Sequence, residues 1–178
     1  MNCQPRRNRS RAGATTVEMT LVGIPIIFVM ISVFEMSRGM WMYHTTSHAA
    51  KVGVRYAIVH GADCANTPPF FNTCSVSMKD IVNNAIRPAA VGLDLNQTQV
   101  TFCTVSCATG TTSTCHLSGT DCPTDAWPPT GANAPGNTLE IDIITPFQSA
   151  LGMFWPGSKP VSFALVNFGA KSSDLIQY

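Results

Sequence analysis

Cysteines, histidines and isolated glutamates hold most of the chemistry open to this chain of 178 residues. Cys64, Cys74, Cys103, Cys107, Cys115 and Cys122 all lie beyond residue 60, whereas Cys3 stands alone near the start. An even set of this kind reads as three disulfides if that part of the chain reaches an oxidising compartment. The spacing favours Cys64–Cys74 as a local loop and a nested hairpin, Cys107–Cys115 inside Cys103–Cys122. Cys103, Cys107, Cys115, His116 and Cys122 could instead supply four metal ligands, but their spacing lacks the paired CxxC of a zinc knuckle. His44 and His48 are i,i+4 on one helical face and could bind a metal. No carboxylate joins them at useful spacing, so solvated or packing histidines are the better reading. His116 reads as exposed rather than catalytic. Asp121 and Asp125 flank Cys122 without the dense run of oxygen ligands that a Ca²⁺ loop needs. No GxSxG, HExxH, Walker A or GxGxxG pattern is present. The sequence therefore predicts no enzyme, no cofactor and no metal.

The other unusual residue is Glu18. It interrupts a long apolar stretch, residues 12–34, that follows Arg6, Arg7, Arg9 and Arg11. Between Glu18 and Glu35 lie 16 uncharged residues, Met19 to Phe34. At about 1.5 Å per helical residue they cover roughly 24 Å, short of a bilayer core of about 30 Å. Including Ala12–Val17 makes the run long enough, at the cost of placing Glu18 in the membrane. A carboxylate there costs about 2.5–3.5 kcal/mol on insertion scales, which marks it as functional. The bland alternative keeps Glu18 at the cytoplasmic interface, neutralised by Arg11. The basic N-terminus orients the span, with residues 1–11 cytoplasmic and everything after about residue 35 exported. Ser37-Arg38-Gly39 offers a poor signal-peptide site because of the charges at Glu35 and Arg38.

Composition fits a small anchored protein. Charged residues make up only 12 % of the chain. Without the four leading arginines, seven Lys/Arg remain against ten Asp/Glu, so no basic face is left for nucleic acid. Three regions follow: a basic leader (1–13), a long helix whose N-terminal half spans the membrane (14–61), and an exported domain with the cysteines (62–178).

Gly13-Ala14-Thr15-Thr16-Val17-Glu18 resembles the glycine-to-glutamate spacing at the processing site of type IV pilin-like proteins. More specifically, Arg11 to Met19 resembles the "RxGAxxVEF" opening of TadE-like proteins, the minor pseudopilins of the Tad (type IVc) pilus system. Phe34 to Arg38 resembles that family's "EFxR" step, and Ala49 to Ala57 its "AAREGARYA". The resemblance covers residues 11–61. Met19 and Val54 stand where Phe and Ala are usual. It implies cleavage by a prepilin peptidase between Gly13 and Ala14, which makes Glu18 the fifth residue of the mature chain. It further implies that Glu18 pairs with the new α-amine of a neighbouring subunit. Glu35 and Arg38, i,i+3, form either an intrahelical pair or an intersubunit one.

The helix should run from Ala14 to Val59, roughly 70 Å if unbroken, bent or locally melted at Gly23 and Pro25. Met36, Met40, Tyr43 and Ser47 lie along one side. Trp41 and Tyr43 fit an interfacial aromatic belt. Ala49, Ala50, Gly53, Val54, Ala57 and Ile58 offer a small-residue face that another surface can approach. Gly61 should stop the helix. Ser77–Val91 reads as a second helix whose end Pro88 frays or bends. Gln99–Val105, Leu139–Ile143 and Val161–Phe168 read as strands, the last of them buried. Residues 108–137 read as an exposed, disulfide-stapled loop and 147–155 as a short helix or turn. Trp127-Pro128-Pro129 and Phe154-Trp155-Pro156 read as packing corners. The fold class expected is α+β and pilin-like, with a long transmembrane helix packed on a small antiparallel sheet.

The function expected is that of a minor pilin supporting assembly or priming of a Tad pilus used in surface adhesion. Its partners would be other pilin-like subunits, the pilus assembly machinery, the prepilin peptidase and the membrane, with no nucleic acid. Its location would be the inner membrane, single pass, with the C-terminal domain periplasmic, or an extracellular pilus after assembly. The alternative is a single-span anchored periplasmic binding module outside any filament.

Overall fold

The computed structural model describes residues 11–60, 76–108, 110–132, 134–149 and 165–176. Helix α1 spans Arg11–Val59. Two compact units divide the chain, Met1–Arg38 and Gly39–Tyr178.

In the first unit α1 is helical through Gly23 and Pro25 without a break. Of the bend or local melting expected there, the melting is absent. Pro25 removes one N–H from the ladder, yet such a loss is tolerated where local adjustment and nearby hydroxyls satisfy the freed backbone. Hydroxyls in this run do bond to their own helix. Thr20 Oγ1 donates to Thr16 O (2.6 Å), Ser32 Oγ to Phe28 O (2.8 Å) and Ser37 Oγ to Val33 O (2.9 Å). These back-bonds hide polar groups within an apolar surface.

The second unit begins with the rest of α1. Met42, Thr46, Ala49, Ala50, Val54 and Ala57 recur at helical spacing and are buried. The small-residue face that could have met another protein is therefore filled by this unit's own core. Thr46 is fully buried but satisfied, its Oγ1 donating to Met42 O at 2.7 Å.

Next comes a short helical region: α2 (Met78–Ile81), a π-helical turn (Val82–Ile86) and α3 (Arg87–Ala89). A reciprocal capping box starts it. Asp80 N–H donates to Ser77 Oγ, and Ser77 N–H donates to Asp80 Oδ2, both at 3.1 Å. Pro88 has no N–H, and its ring crowds the carbonyl four residues earlier. The wider π turn precedes it, with Arg87 N–H reaching Val82 O. Pro88 thus follows a widened turn where fraying or a bend was expected.

Four antiparallel strands form one sheet in the order β2-β1-β3-β4. They are β1 (Gln99–Thr104), β2 (Thr112–His116), β3 (Thr138–Gln148) and β4 (Leu165–Leu175). β3 alternates strictly, burying Leu139, Ile141, Ile143, Thr145 and Phe147. Phe102 lies opposite Ile141, and Val100 opposite Ile143. Each large aliphatic buried this way contributes about 1.5–3 kcal/mol. The one polar pair in this layer, Thr98 and Thr145, is satisfied by a hydroxyl–hydroxyl bond of 2.8 Å. Pro146 lies beyond the last β1–β3 pair, Gln99 with Ile144, so its missing N–H costs that ladder nothing.

Three expectations are corrected here. Residues 108–137 are not merely an exposed loop. They contain β2, and Leu117 and Trp127 belong to the core, Trp127 meeting Phe102 edge-on with centroids 5.0 Å apart. Residues 147 and 148 extend β3 rather than start a helix or turn. Of the buried strand expected over Val161–Phe168, residues 161–164 lie outside the described residues, and 165–168 fall in β4, an edge strand among the described ones, where Val166 is exposed and Phe168 half-buried. The Cys64–Cys74 loop, Gly61 and the Phe154-Trp155-Pro156 corner lie outside the described residues.

Candidate membrane and assembly segment

Residues 13–37 of α1 display apolar side chains outward. Val17, Met19, Leu21, Ile26, Phe28, Val29, Val33 and Phe34 are all exposed. In water such a stripe would be unstable, since tertiary burial normally supplies helix stability. The helix is long and apolar enough to cross a membrane once, and its apolar window is wholly unburied. That last point separates it from a core helix of a soluble domain.

Gly13 and Glu18 are exposed on this helix, and a Cβ built on Gly13 meets nothing within 4 Å. Glu35 differs. It is half-buried, and its Oε2 is buried with no hydrogen-bond partner. Buried polar groups are nearly always bonded, so this orphan oxygen is a feature that needs a partner. Arg38 is exposed one turn later.

In the second unit the cysteines pair as Cys103–Cys107 and Cys115–Cys122, with Cα–Cα distances of 5.0 and 4.9 Å. The nested pairing expected from spacing is overturned by the strand register. Cys103 faces Thr112 and Cys115 faces Val100, so the two cysteines sit at opposite ends of the hairpin. Each then finds a partner in the turn nearest to it. The tight turn after β1 holds Val105 at φ 78°, its N–H donating to Thr138 O at 2.8 Å. Gly110 closes it, since a Cβ there would overlap Thr104 O.

The turn after β2 is clamped by one carboxylate. Asp121 accepts His116 N–H on Oδ1 at 2.9 Å and contacts His116 Nδ1 through Oδ2 at 2.6 Å. The backbone N–H, followed by the ring contact, holds the Asp121 carboxyl below its ordinary range. Both Asp121 oxygens are thus committed to His116, which leaves the Asp121–Asp125 pair a poor cation site. Among the described residues no group of three or more His, Cys, Asp or Glu side chains could hold a metal. His44 and His48 are exposed on α1. His60 caps the same helix, stacking on Tyr56 at 4.3 Å, with Nδ1 2.8 Å from Tyr56 O.

On the outer face of the sheet, Lys171 Nζ lies 3.5 Å from both Glu140 Oε1 and Asp142 Oδ2. The Asp142 charge is the main cause of a raised Lys171 pKa. Neither this cluster nor the clamp contains a nucleophile with an adjacent base.

Among the described residues, a long apolar N-terminal helix, a four-stranded antiparallel sheet and two disulfides define an α+β, pilin-like protein. Residues 13–55 match the family of TadE-like proteins, over the segment where Gly13, Glu18, Glu35 and Arg38 lie. That family is one of Tad pilus-associated proteins. No curated protein matches the chain. No solved structure matches it either.

Sequence reasoning missed β2, whereas Trp127 packs in the core as its corner reading expected. Thr112–His116 carries one apolar residue, Cys115, so alternation gives no signal. Gly39 was also illegible as a contact site, and the partners of Gly53, Ile86 and Ile141, could not be named because they lie far away in the chain.

Proposed function

We propose that this chain is a minor pseudopilin that supports assembly or priming of a Tad pilus. The prepilin peptidase cuts after Gly13 on the cytoplasmic side, and the helix from Ala14 onward anchors the chain in the inner membrane with its cysteine-containing domain exported. Glu18 then accepts the α-amine of a neighbouring subunit, which makes its burial in lipid tolerable. Glu35 and Arg38 engage neighbouring subunits at the other end of the span.

One observation carries the reading: Glu18 stands five residues after Gly13 on a helix whose apolar surface is exposed, within the segment that matches the TadE-like family. The disulfides support export, since they persist in oxidising compartments.

The test is intact mass and N-terminal sequence of the protein purified from its native membrane. A chain beginning at Ala14 is the expected result. A chain beginning at Met1 or Asn2 would favour the anchored binding module. One beginning near Met40 would mean ordinary signal-peptide removal and would overturn the membrane helix in both readings.

A further inference from the structure

Several exposed apolar side chains of the second unit lie together, apart from the isolated Val59, Val105 and Leu175. Met40 and Trp41 are exposed at the start of its helix, 57 % and 62 %, and Val91 is exposed by 63 % in the turn after α3. These two places touch, because a Cβ built on Gly92 would lie 3.6 Å from Trp41 Nε1. The same end of the unit receives the end of the β3–β4 ladder. A Cβ on Gly39 would lie 3.5 Å from Phe168 Cζ and 4.0 Å from Phe147 Cζ, and Phe147 pairs with the exposed Val166. The acid in the Val91 turn, Asp94, is exposed but bonded to its own turn, Oδ1 accepting the N–H groups of Asn96 (2.9 Å) and Gln97 (3.3 Å). Single exposed hydrophobics need no explanation, but four gathered at one end of a small domain do.

We infer that this end of the domain, formed by Met40, Trp41, Val91 and Val166, rests in the headgroup layer of the bilayer on the exported side. The inference rests on the reading of α1 as a membrane span. The apolar run ends at Phe34, and Trp41 follows seven residues later, about 10 Å along a helix. The headgroup layer adds about 5–7 Å beyond the hydrocarbon on each side, within reach of an indole. The stretch between Glu18 and Glu35 also falls about 6 Å short of the hydrocarbon thickness, and a short span draws flanking residues toward the lipid. Trp41 is amphipathic and suits that layer. Gly92 keeps the turn close to the indole, so Val91 reaches the same depth. Lipid explains the apolar character of this rim.

The test uses the full chain with Cys3→Ser, reconstituted in vesicles of phosphatidylethanolamine and phosphatidylglycerol. One nitroxide at a time is attached at Phe28→Cys, Val91→Cys or Val59→Cys, all exposed positions. Accessibility to oxygen and to a water-soluble nickel complex is read for each. Position 59 lies 25 residues beyond Phe34, about 37 Å along the helix, and serves as the aqueous reference. Position 28 is the lipid reference. The expected result is an intermediate ratio at 91, closer to 28 than to 59. A ratio at 91 equal to that at 59, with 28 in lipid, overturns the inference and leaves the membrane span intact. Protection at 91 that disappears on dilution with lipid assigns the rim to a second copy and also overturns it. Water exposure at 28 removes the membrane span, and the inference with it.

Discussion

Gly53 and Ile86 are in such close contact that a Cβ on Gly53 would lie 2.8 Å from Ile86 Cγ1, with Ile141 Cδ1 only 3.2 Å away. The glycine is the point where α1, the π-helical turn and β3 converge. An alanine gains roughly 1 kcal/mol of helix propensity over glycine but overpacks the contact by about 1–3 kcal/mol. Gly53→Ala should therefore lower stability by about 1 kcal/mol, and Gly53→Val by more. Thermal melts in detergent check this, and Ile86→Val should recover part of the loss. An unchanged melt for Gly53→Val would mean that the three elements do not meet there.

The disulfide pattern is directly checkable. Peptide mapping without reduction should yield Cys103 linked to Cys107 and Cys115 linked to Cys122. Removing either pair as a double serine variant should cost about 2 kcal/mol, since both bridges close short loops. Recovery of Cys107–Cys115 would contradict the register in which Cys115 faces Val100.

The Asp121 clamp predicts an acid limb. Its folded pKa is depressed, chiefly by the His116 N–H. A depressed carboxylate contributes stability that is present above the unfolded value of about 3.9 and lost as pH falls through the folded one. The melting temperature should therefore fall below about pH 4, and Asp121→Asn should flatten that decline. Asp80, depressed by its bonds to Ser77, acts in the same window and with the same sign. The clamp is partly exposed, so the effect should be modest and weaken in salt. A variant with the same acid slope as the parent would remove Asp121 from the account.

What could be read in the sequence follows from how local the signals are. Alternation in Leu139–Ile143 located β3, and the apolar run located the first part of α1, because each pattern repeats within a few residues. The melting allowed for at Pro25 did not follow, since its penalty depends on what can satisfy the freed carbonyl. β2 was invisible because its partners Val100 and Phe102 lie on another strand and its own residues are mostly hydroxylated. The cysteine pairing followed strand register, which no spacing rule encodes. The small-residue face of α1 was legible as a contact surface, but whether its own sheet or another chain would fill it depended on the whole fold.

Glu35 separates a structural role from an assembly role. Its buried Oε2 has no hydrogen-bond partner, and an unsatisfied buried acceptor costs about 1–3 kcal/mol. Replacing it with leucine removes that cost, so Glu35→Leu should stabilise the isolated chain by about 1 kcal/mol. If the missing partner belongs to a neighbouring subunit, the same variant should reduce pilus assembly, because the neighbour's donor then loses its acceptor. Melts of the purified chain and counts of assembled pili on cells read the two effects separately. Greater stability with fewer pili is the expected outcome. Lower stability of the isolated chain would show that Glu35 works within its own subunit, and unchanged pili would remove it from the assembly contact.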